Sequence, residues 1–161
     1  MADHNSEKVS QRVSRSQKQI RFRNCVAMLL GISLVIGCST ASIESLGVGD
    51  CFNGPEVGGD FVEIGEVDKI DCDEPHRYEM YAVTELEGSS FPGDAQAASI
   101  GDDFCLSRFA SFVGIEYEYS IYYGNSIVPS IDSWSRGDHS IQCVVGLEYG
   151  SKVGSARNAR E

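Results

Sequence analysis

Four cysteines after residue 50 constrain the fold of this 161-residue chain more than any other feature. They are Cys51, Cys72, Cys105 and Cys143. An even count indicates two disulfides if the domain is exported, as the N-terminal region described below predicts, and four cysteines allow three pairings. We prefer Cys51 with Cys72 and Cys105 with Cys143, because each pair closes a modest loop and would contribute about 3–4 kcal/mol. None has the spacing of a zinc site or of a redox Cys-x-x-Cys pair, so we predict structural disulfides, no metal and no cofactor.

The N-terminal region has the pattern of an export signal. Residues 1–37 carry six of the 13 basic residues and an apolar run over 26–36, which is shorter than the roughly 20 residues of a spanning helix. The segment Leu34-Val-Ile-Gly-Cys38 resembles a bacterial lipobox, in which Cys38 is lipidated and becomes the first residue. The alternative is an uncleaved signal anchor over about 24–43. With either anchor, the rest of the chain is expected on the outer face of the cell membrane.

Residues 38–161 are strongly acidic. They contain 22 acidic and seven basic residues, which gives a formal charge of −15. Nucleic acid and anionic lipid surfaces repel such a domain, so we expect no nucleic-acid partner. We interpret the acidic run around 56–74 as a solvated face, with a docking surface for a basic partner as the alternative.

Hydrophobic patterning predicts an α+β fold, in which a small, mostly antiparallel sheet carries one packed helix and two disulfides. The helix is expected over 94–113 with Asp94 as N-cap, because apolar residues recur there at helical spacing. Ala98, Cys105, Phe109 and Phe112 lie on this apolar stripe. Strands are predicted over about 46–52, 61–70, 78–86, 116–123 and 140–147.

The predicted organisation has four parts. These are an export signal or signal anchor over 1–37, a polar tether over 38–45, a globular domain over 46–150 and a disordered tail over 151–161. The tail prediction rests on its small and polar residues.

The stretch from Cys72 to Val83 concentrates reactive side chains. His76 and Glu79 are three residues apart, which would put them on one face of a helix. Pro75 before them and a strand after them indicate a loop–strand junction instead. We therefore interpret both as hydrogen-bond partners of the loop backbone. A metal or acid–base site would need further groups.

The region 130–139 is predicted to be a loop, and it holds the single tryptophan. Trp134 and Arg136 are residue types that bind ligands by stacking and by carboxylate recognition. The interpretation that we favour is a tryptophan that closes the end of a small core, with the arginine over it. The chain shows no nucleophile elbow and no phosphate-binding glycine loop.

A series of short motifs supports a family resemblance. The motifs are Val48-Gly49-Asp50-Cys51-Phe52, Cys72-x-x-Pro75-His76-x-x-Glu79, Tyr81-Ala82-Val83, Phe91-Pro92-Gly93, Cys105, Phe112-Val113-Gly114, Pro129-Ser130, Trp134, Arg136-Gly137-Asp138 and Cys143. In this order and spacing, the chain from about 46 to 147 resembles the septum-formation domain family of actinobacteria. The resemblance implies an exported or membrane-tethered domain associated with septum formation, with no established enzymatic reaction. Where the family pattern has Gly-Asp-Arg, this chain has Gly137-Asp138-His139.

These observations predict a lipid-anchored extracytoplasmic protein with a non-enzymatic binding or scaffold role in the cell envelope or in septum formation. Its expected partner, besides the membrane, is an envelope or division protein or a cell-wall component. No catalytic residue is predicted. The candidates for a binding role are His76, Glu79, Trp134, Arg136 and Asp138. The alternative is a metal-assisted envelope hydrolase that uses His76, Glu79, Asp138 and His139.

Overall fold

One six-stranded antiparallel sheet runs through the part of the chain that the structure, a computed structural model, describes, namely residues 39–55 and 64–161. The strands are β1 (Ser39–Ser42), β2 (Cys51–Asn53), β3 (Glu66–Ile70), β4 (Tyr78–Glu85), β5 (Tyr122–Ile127) and β6 (Ser140–Leu147). Their order in the sheet is β1-β3-β2-β4-β6-β5. The predicted α+β class with an antiparallel sheet is confirmed.

Three predictions fall outside the described residues. They are the export signal over 1–37, the lipidation site Cys38 and the first part of the strand expected over 61–70. They stay predictions.

Helix α1 spans Asp94–Val113, the range that the sequence predicts. Gly93, with a φ of 98°, precedes it, and Gly114, with a φ of 88°, ends it in the left-handed conformation that costs glycine least. The prediction of Asp94 as N-cap is wrong, because Gly93 takes that position. The Asp94 carboxylate still lies in the first turn, where the helix dipole favours negative charge.

The apolar face of α1 packs on one face of the sheet. Cys105, Phe109 and Phe112 are buried there as predicted, whereas Ala98 is half-buried and Ala97 takes its place in the core. This packing forms the larger of two apolar clusters.

A glycine in the middle of α1 allows the helix to approach the sheet closely. A Cβ atom at Gly101 would lie 2.5 Å from Val128 Cγ1, a distance that real Cβ contacts essentially never show. Gly101 is therefore required by packing, although glycine weakens a helix interior.

Two disulfides join the elements in the preferred pairing, which is confirmed. Cys51 and Cys72 are bonded, with a Cα–Cα distance of 5.2 Å. Cys105 and Cys143 are also bonded, with a Cα–Cα distance of 5.3 Å. This bond joins α1 to the central region of β6. The first disulfide ties β2 to the turn that precedes β4.

The prediction of a tether over 38–45 is wrong for its described residues. The edge strand β1 pairs with β3 over the register Ser39↔Lys69 to Ser42↔Glu66. Ile43 follows it in a short 3₁₀ helix and is buried, and its carbonyl accepts a hydrogen bond from Gln142 Nε2 at 2.7 Å. The segment thus covers the second face of the sheet, because one buried isoleucine and the β1–β3 ladder outweigh its polar composition.

The prediction of a disordered tail over 151–161 is also wrong. Gly154 N–H donates to Cys72 O at 2.7 Å, and Asn158 N–H donates to Phe112 O at 2.8 Å. Ala156 is fully buried. Backbone hydrogen bonds order this segment, and they leave no periodic trace in the sequence. The folded domain therefore includes residues on both sides of the predicted 46–150 range.

Two further boundaries differ from the prediction. Residues Tyr117–Tyr119 form a 3₁₀ helix, so the strand expected over 116–123 begins only at Tyr122, with β5. The predicted loop over 130–139 contains a short helix α2 (Ile131–Ser135), which Ser130 and Ser133 start with a reciprocal capping box.

Candidate functional site

His76 lies between the turn at Pro75 and the start of β4. Its backbone N–H donates to the carbonyl of Lys152, and its own carbonyl accepts the Lys152 N–H. Both N···O distances are 2.9 Å, and the pair forms an isolated antiparallel bridge. Its side chain is completely buried, and Nδ1 lies 2.8 Å from the carbonyl oxygen of Glu74. Within the described residues, His76 Nε2 is buried without a hydrogen-bond partner.

Glu79 lies near the start of β4, with Cys51 of β2 on one side and Val145 of β6 on the other. Its side chain is 1% exposed. Glu79 Oε1 accepts a hydrogen bond from Ser155 Oγ at 2.6 Å, and Oε2 accepts one from Ala156 N–H at 2.7 Å. A charged acceptor that meets two donors makes strong hydrogen bonds, so Glu79 fixes the C-terminal segment to the sheet.

Lys152 completes a polar cluster, which we define as His76, Glu79 and Lys152. Lys152 Nζ lies 4.0 Å from Glu79 Oε2, donates to the carbonyl of Gly154, and lies 5.7 Å from the centre of the Tyr122 ring. Burial lowers the pKa of the Lys152 ammonium below its ordinary value, and the negative charge of Glu79 opposes that shift. The cluster is buried. His76, through its backbone, and Glu79, through its carboxylate, both bind the C-terminal segment.

Three donor atoms near this cluster have the spacing of a metal site. One ligand atom each from Cys51, His76 and Glu79 lies within 4.8 Å of the others. Cys51 is bonded to Cys72, however, and a metal binds the thiolate form of cysteine. The disulfide form leaves only two donors in this group, whereas structural and catalytic zinc sites use at least three protein ligands. In the disulfide form, the group is therefore not a zinc site.

The residues of the alternative hydrolase are divided between the two ends of β4. Glu79 pairs with Val145 near one end, whereas the carbonyl of His139 accepts the N–H of Leu86 beyond the other end, at 2.7 Å. Leu86 follows Glu79 by seven residues of extended chain, which corresponds to about 23 Å. The proposed four-residue site is therefore not assembled. Asp138 is used locally, since its Oδ1 accepts from Ser140 N–H and Oγ.

Trp134 belongs to an aromatic cluster at the end of the core. Its ring stacks on His139, with centroids 3.7 Å apart and an angle of 11° between the planes. The Phe91 ring lies beside Trp134 in a tilted arrangement, with the ring centroids 6.0 Å apart. A stacked imidazole covers part of the ring that a ligand would use, and the half-buried tryptophan packs against the apolar cluster beneath α1. The interpretation that it closes the end of the core stays a prediction. Arg136 follows α2 and is exposed.

A comparison with family models gives a match to the septum formation family over residues 48–160. The chain belongs to the septum formation family. Membership indicates a role in cell division or the cell envelope. No curated protein and no solved structure matches the chain.

The septum formation domain reaches beyond the residues on which the resemblance was based. The family match runs to residue 160 and so includes Lys152, Ser155 and Ala156, which sequence reasoning assigned to a disordered tail. Small polar residues carry no periodic signal. One sequence signal for an ordered C-terminal segment was Glu79, because a carboxylate that is buried within a strand needs hydrogen-bond donors from elsewhere in the chain.

In residues 39–55 and 64–161, no helix has the length and apolar character to cross a membrane.

Proposed function

We propose that this septum formation protein is a non-enzymatic binding module, which a lipid on Cys38 tethers to the outer face of the cell membrane. In this proposal it binds a basic envelope or division protein, or an amine-bearing cell-wall component, where the septum forms. The family match supports the connection with division. The two disulfides support an oxidising location outside the cytoplasm.

The observation that carries the proposal is the internal use of the candidate catalytic groups. Glu79 accepts hydrogen bonds from Ser155 and Ala156, and His76 is fully buried. Asp138 and His139 lie at the other end of β4, in a turn and in an aromatic stack. General acid–base chemistry needs a group within hydrogen-bond reach of a substrate. These groups contact the protein itself.

The acidic segment 66–74 supports a basic partner. Its acidic side chains are all exposed, and they are Glu66 and Asp68 on β3 followed by Asp71, Asp73 and Glu74 in the next turn. The basic residue of this segment, Lys69, is already paired with Asp50 at 2.8 Å. A surface with this excess of one charge accelerates association with a partner of the opposite charge.

Genetic complementation tests the proposal in the cell. Loss of the chain should disturb septum formation, and the wild-type chain should restore it. Cys38→Ala should fail to restore it because the tether is lost, whereas Cys25→Ala, the matched control within the signal, should succeed. Asp138→Asn and His139→Ala should also restore septation at equal protein levels. Restoration by Cys38→Ala would contradict the tether, and failure of both of the other variants would favour a catalytic role.

A further inference from the structure

The two disulfides of this domain have different surroundings. Cys105 and Cys143 are 3% and 0% exposed and belong to the apolar cluster beneath α1. Cys51 is also buried, at 1%, but Cys72 is half-buried in the turn that precedes Pro75. Cys72 is therefore the more exposed residue of the Cys51–Cys72 bond, and its Sγ lies 3.4 Å from the carbonyl oxygen of Gly49.

The buried sulfur of this bond has two polar neighbours. One ligand atom of His76 and one of Glu79 lie within 4.8 Å of Cys51 Sγ. His76 Nδ1 contacts the carbonyl oxygen of Glu74, which can only accept, so Nδ1 carries the hydrogen. In the neutral ring Nε2 is then an acceptor, and no donor reaches it among the described residues. A buried acceptor without a donor is costly and needs an explanation.

We propose that Cys51–Cys72 is a thiol–disulfide exchange site that accepts two electrons from a dithiol. Reduction converts Cys51 into a thiol, and its S–H can donate to His76 Nε2, which has no donor while the disulfide is intact. The reduced form therefore gains a hydrogen bond that the oxidised form lacks. This gain makes Cys51–Cys72 easier to reduce than Cys105–Cys143, whose two residues belong to the apolar cluster.

The exchange begins with a thiolate of the dithiol, which attacks Cys72 Sγ. A new S–S bond forms to Cys72 as the Cys51–Cys72 bond breaks, and the electron pair goes to Cys51 Sγ. The second thiol of the reductant then attacks its own sulfur in the mixed disulfide, and Cys72 leaves as a thiolate. The dithiol becomes a disulfide, and its two thiol protons end on Cys51 and Cys72. Two electrons have moved to the cysteine pair.

The charge around Cys72 defines the class of reductant. Asp71, Asp73 and Glu74 flank it and are exposed, so a negatively charged thiol such as glutathione is repelled. The site fits a dithiol whose surroundings are neutral or basic. Dithiothreitol, which is a neutral dithiol, is the appropriate probe.

The first test is a redox titration of the full chain in detergent, with Cys25→Ser and Cys38→Ser so that only the four disulfide cysteines remain. Alkylation and mass spectrometry follow each pair in buffers of reduced and oxidised dithiothreitol. Cys51–Cys72 should be reduced at a ratio of reduced to oxidised dithiothreitol about tenfold lower than Cys105–Cys143 requires, or about 30 mV. Equal midpoints, or the reverse order, would overturn the proposal.

His76→Asn supplies the matched variant, because its side-chain amide can still donate to the Glu74 carbonyl but has no equivalent of Nε2. It should make Cys51–Cys72 about tenfold harder to reduce and leave Cys105–Cys143 unchanged. General loosening of the fold would act in the opposite direction and on both pairs. A midpoint that does not move, or that moves toward easier reduction, would overturn the role of His76.

A second test is independent of His76 and determines which sulfur is attacked. Cys51→Ala leaves the Cys72 thiol, and Cys72→Ala leaves the Cys51 thiol. With oxidised dithiothreitol or a neutral aromatic disulfide, Cys72 should form the mixed disulfide at least about tenfold faster than Cys51. If Cys51 reacts as fast as Cys72, the proposed direction of exchange is wrong.

Discussion

Glu79 and Ala156 are 77 residues apart, and the Glu79 carboxylate accepts the Ala156 backbone N–H at 2.7 Å. This single contact explains why a strand in the middle of the domain contains a buried acid. It also explains how the segment after β6 returns to the sheet. The residue that the sequence marked as a candidate for function thus acts together with the backbone hydrogen bonds that order the C-terminal segment.

Replacement of Glu79 by glutamine should therefore weaken the attachment of that segment to the sheet. The amide has only one acceptor oxygen and no charge, so it cannot replace both hydrogen bonds from Ser155 and Ala156. Lys152 also loses its negative neighbour. We therefore expect the free energy of unfolding to fall by about 2–3 kcal/mol. Urea unfolding gives the free energy, and hydrogen exchange should show faster exchange at the Ala156 N–H. Glu85→Gln, exposed at the end of the same strand, should stay within about 0.5 kcal/mol of wild type. Equal effects of the two variants would contradict this role of Glu79.

Gly101→Ala should destabilise the domain, although alanine favours a helix by about 1 kcal/mol over glycine. The added Cβ would lie 2.5 Å from Val128 Cγ1, and we expect a net loss of about 1–2 kcal/mol after the propensity gain. Thermal unfolding measures this difference. Gln96→Ala, at an exposed position of α1, provides the control and should be nearly neutral. A stabilised Gly101→Ala variant would show that α1 does not approach the sheet this closely.

Stability should fall at high pH because of Tyr81. Burial raises the pKa of the Tyr81 phenol, and nearby Tyr117 and Asp102 add to that shift. Above pH 10 the unfolded chain releases this proton and the folded chain retains it, so the free energy of unfolding falls by up to about 1.4 kcal/mol per pH unit. Urea unfolding at pH 8 and pH 11 should show this fall for wild type and a smaller one for Tyr81→Phe, both with Cys25 and Cys38 replaced by serine. Parallel curves would contradict burial of the hydroxyl.

The sequence predicts those parts of the fold in which side chains repeat with a regular period. Helix α1 was predicted over its full range because Cys105, Phe109 and Phe112 recur on one face, and the disulfide pairing followed from loop length. The residues after 150 could not be predicted in the same way. They are ordered by backbone hydrogen bonds and by one distant carboxylate, neither of which has a local pattern. The same holds for β1, whose order comes from its pairing with β3.

The candidate site was only partly accessible from the sequence for the same reason. The contact of His76 with the loop backbone follows from Pro75, and its bridge to Lys152 does not. The neighbourhood of Cys51, His76 and Glu79 is created by strand pairing across β2 and β4. The spacing of these residues in the sequence does not predict that pairing.

Lipidation of Cys38 should be visible in the mass of the chain isolated from membranes. Cleavage before Cys38 followed by acylation gives a chain that begins at this residue and carries covalent lipid. Cys38→Ala should yield an uncleaved chain without lipid, and Cys25→Ser should be processed as the wild type is. A wild-type chain that retains residues 1–37 would indicate the signal anchor instead.

Cross-linking in intact cells, followed by capture of the full chain, shows whether the acidic segment 66–74 binds a partner. One variant replaces the five acids of segment 66–74 by amides (Glu66→Gln, Asp68→Asn, Asp71→Asn, Asp73→Asn and Glu74→Gln). A control variant makes the same charge change at the exposed residues Glu85, Glu87, Asp103, Glu116 and Glu118.

If segment 66–74 is the docking surface of a tethered binding module, wild type and control should capture the same partner in similar yield. The segment 66–74 variant should capture at least about tenfold less, or about 1.4 kcal/mol of binding free energy. Capture by this variant at the wild-type level, or no partner above background with any chain, would contradict a docking surface on segment 66–74.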